Sequence, residues 1–466
     1  MPEAPGDVPT EQGRPAPREV APIEQASTLR LFGTPAFFRL WLSQVVSSLG
    51  DWIGFVAVTA IAAKIGGSSP DAAVGVVLSA RLIPGFFLAP VAGVFVDRWD
   101  RKRVMVVCDI GRGLVLATLP FVDTLPGLVL ASFMLELLTL LWSPAKEASV
   151  PNLVRPEFLA NANSLSLVAA YGTFPIGSAL FAALAGVAKW LSGYSALEGL
   201  RVSQETVAIW FDVATFMVSA IMISTLTLPK RKKPERGESG KRLDWGRALR
   251  DVGEGWKFIG ASPGVRAVIV GIATGLIGGG MMVPLGVSMS EKVLGGGTAG
   301  FGLLLTALGS GVAAGIIGLS MVQKRVPHER LFVFAVFGAG LCQIAGASMS
   351  ALAPAMVFVA MLGLCAGAVY ILGFTILQTN VEDDLRGRIF ATLYTLIRFC
   401  LLLAFAAAPF LSGLLDRLSA ALFNRSVSVG GIDIALPGVR LTLWIGGLII
   451  VGAGFLAKAS LRSKEQ

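Results

Sequence analysis

Residues Gly93 to Arg103 read G-V-F-V-D-R-W-D-R-K-R and lie between two long apolar stretches. A dense group of charges in that position is typical of a short loop at a membrane surface. The sequence also holds about a dozen apolar stretches of roughly 20 residues, the length a helix needs to cross about 30 Å of hydrocarbon. Apolar residues make up 54% of the chain and charged residues only 15%. The sequence therefore predicts an all-α integral membrane protein and excludes a single water-soluble core.

Twelve spans follow from these stretches. They are predicted at residues 37–63, 73–96, 104–122, 127–147, 161–188, 207–228, 265–289, 299–322, 331–351, 353–378, 388–414 and 440–458. The Lys and Arg residues orient them, because cytoplasmic loops carry an excess of both. With both termini in the cytoplasm, 29 of the 39 Lys and Arg residues fall on that side, seven on the other side and three inside spans. One span more or fewer would destroy this asymmetry, so twelve spans and cytoplasmic termini are predicted together.

The composition also excludes several classes of function. The net charge of +9 fits a cytoplasmic collar that faces anionic lipid, and no basic soluble domain indicates a nucleic-acid partner. Residues 1–36 are proline-rich and lack the apolar core of a signal peptide, so they are predicted to form a disordered cytoplasmic tail. The chain has no phosphate-binding loop, no metal-ligand spacing and no nucleophile motif. We therefore expect no cofactor, no metal and no enzymatic activity, with transport energy drawn from an ion gradient.

The spans divide into two sets of six around a basic stretch, P-K-R-K-K-P-E-R-G-E-S-G-K-R, that begins at Pro229. The sequence V-R-P-E-F-L-A-N-A-N-S-L at Val154 is matched 227 residues later by V-E-D-D-L-R-G-R-I-F-A-T at Val381. Duplicated halves are typical of transporters that bind substrate between the halves near the midplane. The predicted domains are an N-terminal six-helix half at 37–228, a basic cytoplasmic linker with an interfacial helix at 229–262, a C-terminal six-helix half at 263–458 and a tail at 459–466.

The loop between spans two and three resembles the corresponding loop of the major facilitator superfamily. The matching positions are Gly93, Asp97, Arg98, Arg101 and Lys102. Asp100 departs from the family pattern, which usually has glycine there. The resemblance implies a transporter that usually works as a monomer, in which this loop is a cytoplasmic gate that pairs with neighbouring helix ends, for example Arg101 with Glu147. The alternative is a plain basic anchor on the cytoplasmic side.

Span five contains Gly172-Thr-Phe-Pro175-Ile-Gly177, which is similar to the glycine-proline motif of proton-driven exporters in that superfamily. Phe174 stands where the motif has glycine. Pro175 removes one backbone hydrogen bond and kinks the helix, and the small neighbours allow close packing of a partner helix. The P-E-F-L-A-N-A-N and D-L-R-G-R segments also resemble the macrolide-efflux and enterobactin-exporter branch. This resemblance implies export.

Two carboxylates lie deep inside predicted spans. Asp51 lies near the middle of span one on a face shared with Gln44, and Glu136 has a similar depth in span four. A charge at the bilayer centre costs about 2.5–3.5 kcal/mol on insertion scales, so each needs a partner, a water-filled cavity or a function. Carboxylates in such sites are typical carriers of exchangeable protons, so Asp51 and Glu136 are candidate proton-coupling residues. Permanent salt bridges with Arg81 or Arg112 are the alternative.

Other polar and aromatic side chains inside the spans are candidates for charge pairs or substrate contacts. Arg112 lies three residues after Asp109 on span three, where the two can pair. Arg398 is a deep charge in the second half and is expected either to reach Asp51 or to bind an anionic group of the substrate. Tyr171 offers an aromatic surface to a hydrophobic substrate, with ordinary packing as the alternative.

The sequence thus predicts a secondary active, proton-coupled exporter of amphipathic small molecules such as drugs, macrolides or siderophores, working by alternating access. We expect a monomer in contact with lipid in the bacterial cytoplasmic membrane. Two alternatives stay open. One is a lipid or lysophospholipid translocator, favoured by Arg398 and the high apolar content. The other is a membrane receptor or assembly partner that keeps this fold without transport.

Overall fold

The computed structural model describes residues 32–88, 99–155, 158–191, 203–227, 262–322, 327–381, 383–429 and 432–462. Nearly all of them are helical. The helices are α1 Pro35–Ile65, α2 Pro70–Phe87, α3 Arg101–Thr118, α4 Leu125–Ser149, α5 Leu159–Leu167, α6 Phe174–Leu191, α7 Gln204–Ser224, α8 Pro263–Gly280, α9 Met282–Lys292, α10 Gly297–Val322, α11 His328–Ser348, α12 Leu352–Asn380, α13 Asp383–Phe423 and α14 Gly438–Arg462. A π-helical turn, Val168–Gly172, joins α5 to α6, and two antiparallel strands, β1 Ser426–Val429 and β2 Ile432–Ala435, join α13 to α14.

The twelve predicted spans are confirmed, since twelve helical segments of the described chain are long and apolar enough to cross a membrane. The fifth span consists of α5, the π turn and α6, and the seventh consists of α8 and α9, which meet at Met281. Each other span is a single α-helix, with a short 3₁₀ turn added at Leu119–Phe121 in the third span and at Val150–Asn152 in the fourth. Most of the predicted tail at 1–36 and of the linker at 229–262 lies outside the described residues, so the predicted domain boundaries stay a prediction.

The eleventh span differs from its predicted end at residue 414, because α13 continues to Phe423. Asp416 and Arg417 end the apolar run there, but they do not end the helix. Asp416 accepts hydrogen bonds from the Gly438 amide at 3.1 Å and from Arg425 Nη2 at 2.8 Å. A charged residue therefore ties the end of α13 to the start of α14 beyond the apolar stretch.

Side-chain caps start several of these helices. The Thr34 hydroxyl accepts from the Phe37 amide at 3.2 Å at the start of α1, and Asp100 Oδ1 accepts from the Arg103 amide at 2.9 Å at the start of α3. Such a bond satisfies one of the amides that a helix N-terminus leaves without a partner. The aspartate at 100, which departs from the family pattern, is thus the N-cap of α3.

The helix bundle has two ends, the Arg101 end and the Asp71 end, each called after one residue that lies there. The starts of α1 and α3 and the end of α4 lie at the Arg101 end, where Thr34 Oγ1 donates to the Leu153 carbonyl at 2.6 Å. Because consecutive spans alternate in direction, the end of α14 lies there too. The start of α2 lies at the opposite end, named the Asp71 end.

Among the described residues, a shared cluster of buried apolar side chains joins the two sets of six spans at the Asp71 end. A single cluster of buried residues there includes Val77 of the first set and Leu285 and Phe405 of the second. Towards the Arg101 end each set has a separate cluster, one around Met105 and the other around Phe332. In the part of the chain that the structure describes, the two sets therefore share a buried apolar cluster at the Asp71 end and have separate clusters towards the Arg101 end.

Polar contacts reinforce the junction at the Asp71 end. Asp71, in the first turn of α2, accepts hydrogen bonds from Ser288 of α9 and from Ser412 of α13, the latter at 2.9 Å. Thr298 Oγ1 of α10 donates to Gln204 Oε1 of α7 at 2.8 Å. These bonds cross between the sets of spans, so they exist only while the Asp71 end is closed.

A buried arginine holds the hairpin between α13 and α14. Arg440 is fully buried and donates to the main-chain carbonyls of Ala347 at 3.0 Å, Met349 at 2.8 Å and Ala435. A buried guanidinium satisfied in this way fixes the hairpin against the turn between α11 and α12.

Candidate functional site

A cavity of about 530 Å³ lies among α1, α3, α4 and α5 and reaches the Arg101 end. Many of its lining side chains are polar, which is the exception within an apolar bundle and indicates a water-filled space. Four of the candidate coupling, charge-pair and substrate residues come together in its wall: Gln44, Asp51, Arg112 and Tyr171. The rings of Trp52 and Trp142 complete the wall.

The first span supplies hydrogen-bond donors to the main chain of the fifth. Trp41 Nε1 donates to the Leu165 carbonyl at 2.8 Å, Gln44 Nε2 to Ser166 at 3.1 Å and Trp52 Nε1 to Ala170 at 3.1 Å. These carbonyls lie in or just before the π turn, where the ordinary pairing of a helix is interrupted. Gln44, proposed from the sequence as a substrate contact, is buried and holds the backbone of the fifth span with its amide.

The glycine-proline motif lies where the fifth span meets two others. An added Cβ at Gly177 would lie 2.7 Å from Trp52 Cβ and 3.0 Å from the Leu49 carbonyl, so only glycine allows this approach to α1. On the other side Pro175 packs against Gly309 of α10, at 3.1 Å from the position of an added Cβ. Gly172 ends the π turn beside the cavity. The motif therefore brings α6 against both α1 and α10.

Arg112 connects several parts of the site. Its Nη2 donates to Asp109 Oδ1, and its Nη1 lies 3.6 Å from Asp51 Oδ2. Its Cζ lies 4.3 Å from the ring centroid of Phe216 and 5.2 Å from that of Trp142. The predicted pairing with Asp109 is thus present, and Ser219 donates to the second Asp109 oxygen at 2.8 Å. Asp51 has the longer and looser contact with the same guanidinium.

The two candidate proton-coupling residues differ in their surroundings. The Asp51 side chain is 36% exposed and faces the cavity. Glu136 of α4 is half-buried and interacts electrostatically with Arg81 of α2, with Asp51 and with Arg398 of α13. Arg81 also lies over the Phe55 ring, with 5.8 Å between Cζ and the ring centroid. The structure therefore brings Asp51, Glu136 and the deep arginines of both sets of spans into one electrostatic group.

A third deep carboxylate, Asp212 of α7, escaped sequence reasoning. It is buried, with 1% of its surface exposed, and it interacts electrostatically with Asp51, Arg112 and Arg81. The signal for it was present, since an aspartate in the predicted span 207–228 is as unusual there as Asp51 is in span one. Its position against α1 follows from packing alone.

Arg398 lies at the junction of the two sets of spans. Its Nη1 donates to the Gly85 carbonyl of α2 at 2.9 Å, a contact that neither sequence-based expectation had included. Tyr370 and Tyr394 each lie close to Phe374, with 4.4 and 6.3 Å between ring centroids, and Tyr171 from the first set lies near both tyrosines. Three of the four tyrosines of the chain therefore converge from spans five, ten and eleven.

The charged loop is only partly described. Gly93, Asp97 and Arg98 lie outside the described residues, whereas Arg101 and Lys102 begin α3. Arg101 Nη1 donates to the main-chain carbonyl of Ala148 at the end of α4, and the Glu147 carboxylate suggested by the sequence is not its partner among the described residues. A cation at a helix C-terminus is favourable because the last carbonyls carry partial negative charge. This contact joins the gate motif to α4.

Comparisons with known proteins agree with this architecture. The family model of the Major Facilitator Superfamily matches residues 40–409. The chain is 26% identical over 428 residues to the multidrug efflux pump Tap of Mycobacterium tuberculosis, covering 87% of this chain and 94% of the pump. It is 24% identical over 392 residues to the uncharacterized MFS-type transporter YfiS of Bacillus subtilis, covering 80% of this chain and 86% of that protein. No cluster of metal-ligating side chains occurs among the described residues.

Solved structures show the same fold. A bacterial homolog of the human lysosomal transporter Spinster, in an inward-facing and unoccupied conformation, superposes with a TM-score of 0.68 at 16% identity, covering 92% of this chain and 98% of that one. The nucleoside transporter NupG superposes with a TM-score of 0.65 at 12% identity, covering 92% and 99%. With the twelve spans and the match over most of the sequence, the chain belongs to the Major Facilitator Superfamily and is a multi-pass transporter of the bacterial plasma membrane rather than an enzyme.

Proposed function

We propose that this transporter exports amphipathic small molecules in exchange for protons by alternating access. One observation carries the proposal: Asp51 faces the cavity while its counter-ion, Arg112, is already held by Asp109. Because Asp51 shares the Arg112 guanidinium with Asp109, loss of its contact with Arg112 costs only a moderate amount of free energy. Either a proton or a cationic group of the substrate can then occupy Asp51, and this competition couples the two movements.

The Lys and Arg distribution supports a cytoplasmic Arg101 end and cytoplasmic termini. The described state then has its cavity open to the cytoplasm and its Asp71 end closed, ready to load a substrate for export. The reverse state requires the bonds from Asp71 to Ser288 and Ser412 to break and the two sets of spans to come together at the Arg101 end, where Arg101 already holds the gate motif to α4. We further propose that the monomer performs this cycle, with its basic collar against anionic lipid.

The substrate class follows from the walls of the site. The rings of Tyr171, Trp52 and Trp142 in the cavity wall offer flat apolar surface, and Asp51 offers negative charge beside them. Such a combination suits molecules with an aromatic body and a basic group. A similarity of 26% to a multidrug efflux pump agrees with a broad range of such molecules.

The test uses purified protein in liposomes with an imposed pH gradient. A cationic dye, a macrolide and a ferric-chelator anion are offered in turn, and extrusion is recorded with and without a protonophore. We expect gradient-dependent movement of the dye or the macrolide that is lost in Asp51→Asn. The matched control is Asp123→Asn, which changes an exposed carboxylate outside the cavity. Movement of labelled lipid with none of the three compounds would instead establish a lipid translocator.

A further inference from the structure

Asp212 lies in a notch that the first span forms with two glycines. An added Cβ at Gly54 would lie 2.2 Å from Asp212 Oδ2, and one at Gly50 would lie 2.2 Å from Asp212 Oδ1. The carboxyl group therefore lies against the bare backbone of α1 between Gly50 and Gly54, which are about one helical turn apart and have Asp51 between them in the sequence. Two glycines at this spacing make room for this carboxyl group and for Thr215 beside it.

The notch provides no charge partner. Among the described residues no cation lies within ion-pair distance of Asp212, and its one side-chain hydrogen bond comes from Thr215 Oγ1 to Oδ1 at 3.2 Å. Oδ2 accepts no hydrogen bond within the described part of the chain. Asp109, which is equally buried, has both Arg112 and Ser219. An ionised carboxylate with such poor compensation is unfavourable in a buried site, whereas a neutral carboxyl group is tolerated.

A small cavity of about 10 Å³ lies between Asp212, Asp51 and Arg81, with apolar side chains closing the rest of its wall. That volume is about the size of one water molecule, and three polar groups are enough to bind it. Asp51 lines both this small cavity and the large cavity that reaches the Arg101 end. Its carboxylate therefore lies between the two cavities.

We propose that Asp212 holds a proton in the described state and exchanges it with the large cavity through the water-sized cavity and Asp51. The inference rests on the proposed proton-coupled function and adds to it the place where the proton is kept. On release, the O–H bond of Asp212 breaks, the bridging water passes a proton to the Asp51 carboxylate, and Asp51 gives it to water in the large cavity. Uptake runs in the opposite order.

Charges on the elements packed against α7 fit this assignment. Asp51 faces Asp212 from α1, Arg112 and Asp109 lie on α3, and Arg81 faces it across the small cavity from α2. Among the described side chains, α6 and the turn after α3 present no charge to it. A proton on Asp212 removes the repulsion with Asp51 and leaves Arg112 to serve Asp51 and Asp109. Loss of that proton draws the arginines towards Asp212, which frees Asp51 for a cationic substrate.

Infrared difference spectroscopy on the purified protein tests the resting protonation directly. At neutral pH we expect the carbonyl stretch of a protonated carboxyl group to be present in wild type, retained in Asp51→Asn and lost in part in Asp212→Asn. Because asparagine resembles the neutral acid, Asp212→Asn should keep the wild-type melting temperature, whereas Asp109→Asn should lower it. A carbonyl band that is identical in wild type and Asp212→Asn would overturn the proposal.

Transport measurements separate this inference from the proposed function. In liposomes with a trapped pH indicator, Asp212→Asn should bind a fluorescent cationic dye as wild type does and yet lose dye-driven proton movement. Gly54→Ala, whose methyl group enters the notch, should share that loss, whereas Gly186→Ala, which meets open space, should not. Full proton coupling in Asp212→Asn would overturn the inference. Absence of coupling in wild type would instead refute the proposed function, and the infrared result would still decide whether Asp212 holds a proton.

Discussion

Replacement of Asp71 by alanine should shift the transporter away from the state with a closed Asp71 end. The carboxylate is the shared acceptor of hydroxyls from α9 and α13, so the substitution removes two hydrogen bonds between the sets of spans. A hydrogen bond to a charged group contributes about 1.5–3 kcal/mol net. We take the lower value for each bond, since freed serine hydroxyls can bond to their own helices. The closed state then loses about 3 kcal/mol, which is about a hundredfold in the equilibrium between states.

The assay measures access to a buried position at the same end. Ala408 of α13 is fully buried, close to where Gly75 of α2 packs on the same helix. In a background without the four native cysteines, Ala408→Cys is reacted with a membrane-impermeant maleimide in right-side-out vesicles. Asp71→Ala should raise the reaction rate by one to two orders of magnitude, and the exposed-site control Asp123→Ala should leave it unchanged. An equal rate in Asp71→Ala and the control would refute the role of these bonds in closure.

Three further predictions concern the cavity and the fifth span. Gly177→Ala places a methyl group 2.7 Å from Trp52 Cβ and should destabilise the protein by about 1–3 kcal/mol, as overpacking does; an unchanged melting temperature in detergent would contradict the close approach of α6 to α1. Arg112→Gln leaves Asp109 without its buried partner and should destabilise the protein by about 3–5 kcal/mol. The melting temperature of this variant should therefore be lower than that of Asp51→Asn. Equal melting temperatures would show that Asp51, rather than Asp109, depends on this arginine. Tyr171→Phe should keep the affinity for a cationic dye in fluorescence titration, whereas Tyr171→Leu should weaken it, because the ring face and not the hydroxyl binds a cation; weakening by both would assign recognition to the phenol hydroxyl.

The twelve spans could be predicted because bilayer thickness fixes the length of an apolar helix, and this requirement is written locally in the sequence. Pro175 and Gly177 were recognisable for the same reason, because the missing N–H of proline and the missing Cβ of glycine affect the chain at those positions themselves. Asp51 and Glu136 stood out as charges in apolar stretches. The roles assigned to them from the sequence stay predictions until transport is measured.

Other features depend on partners that no local pattern encodes. The π turn before Pro175 has no composition of its own and exists because Trp41, Gln44 and Trp52 supply donors from another span. The notch around Asp212 requires α7 to cross α1 at two particular glycines. Arg101 bonds to a main-chain carbonyl, which any residue could supply at that position. The acidic side chain of Glu147 therefore suggested the wrong partner. Such contacts are determined by three-dimensional packing between distant spans.

The three hydrogen bonds from α1 to the fifth span have a mechanical consequence. They attach two neighbouring spans at successive heights, so sliding of one past the other would break all of them at once. We therefore expect the first and fifth spans to move together during transport. The first set of spans contacts the second where α6 packs against α10. Gly302 and Gly309 of α10 allow Phe181 and Pro175 of α6 to approach closely there. Because these glycines have no side chains at the contact, the two sets of spans can move against each other there. Larger side chains at these positions should therefore slow every transport cycle, whatever the substrate.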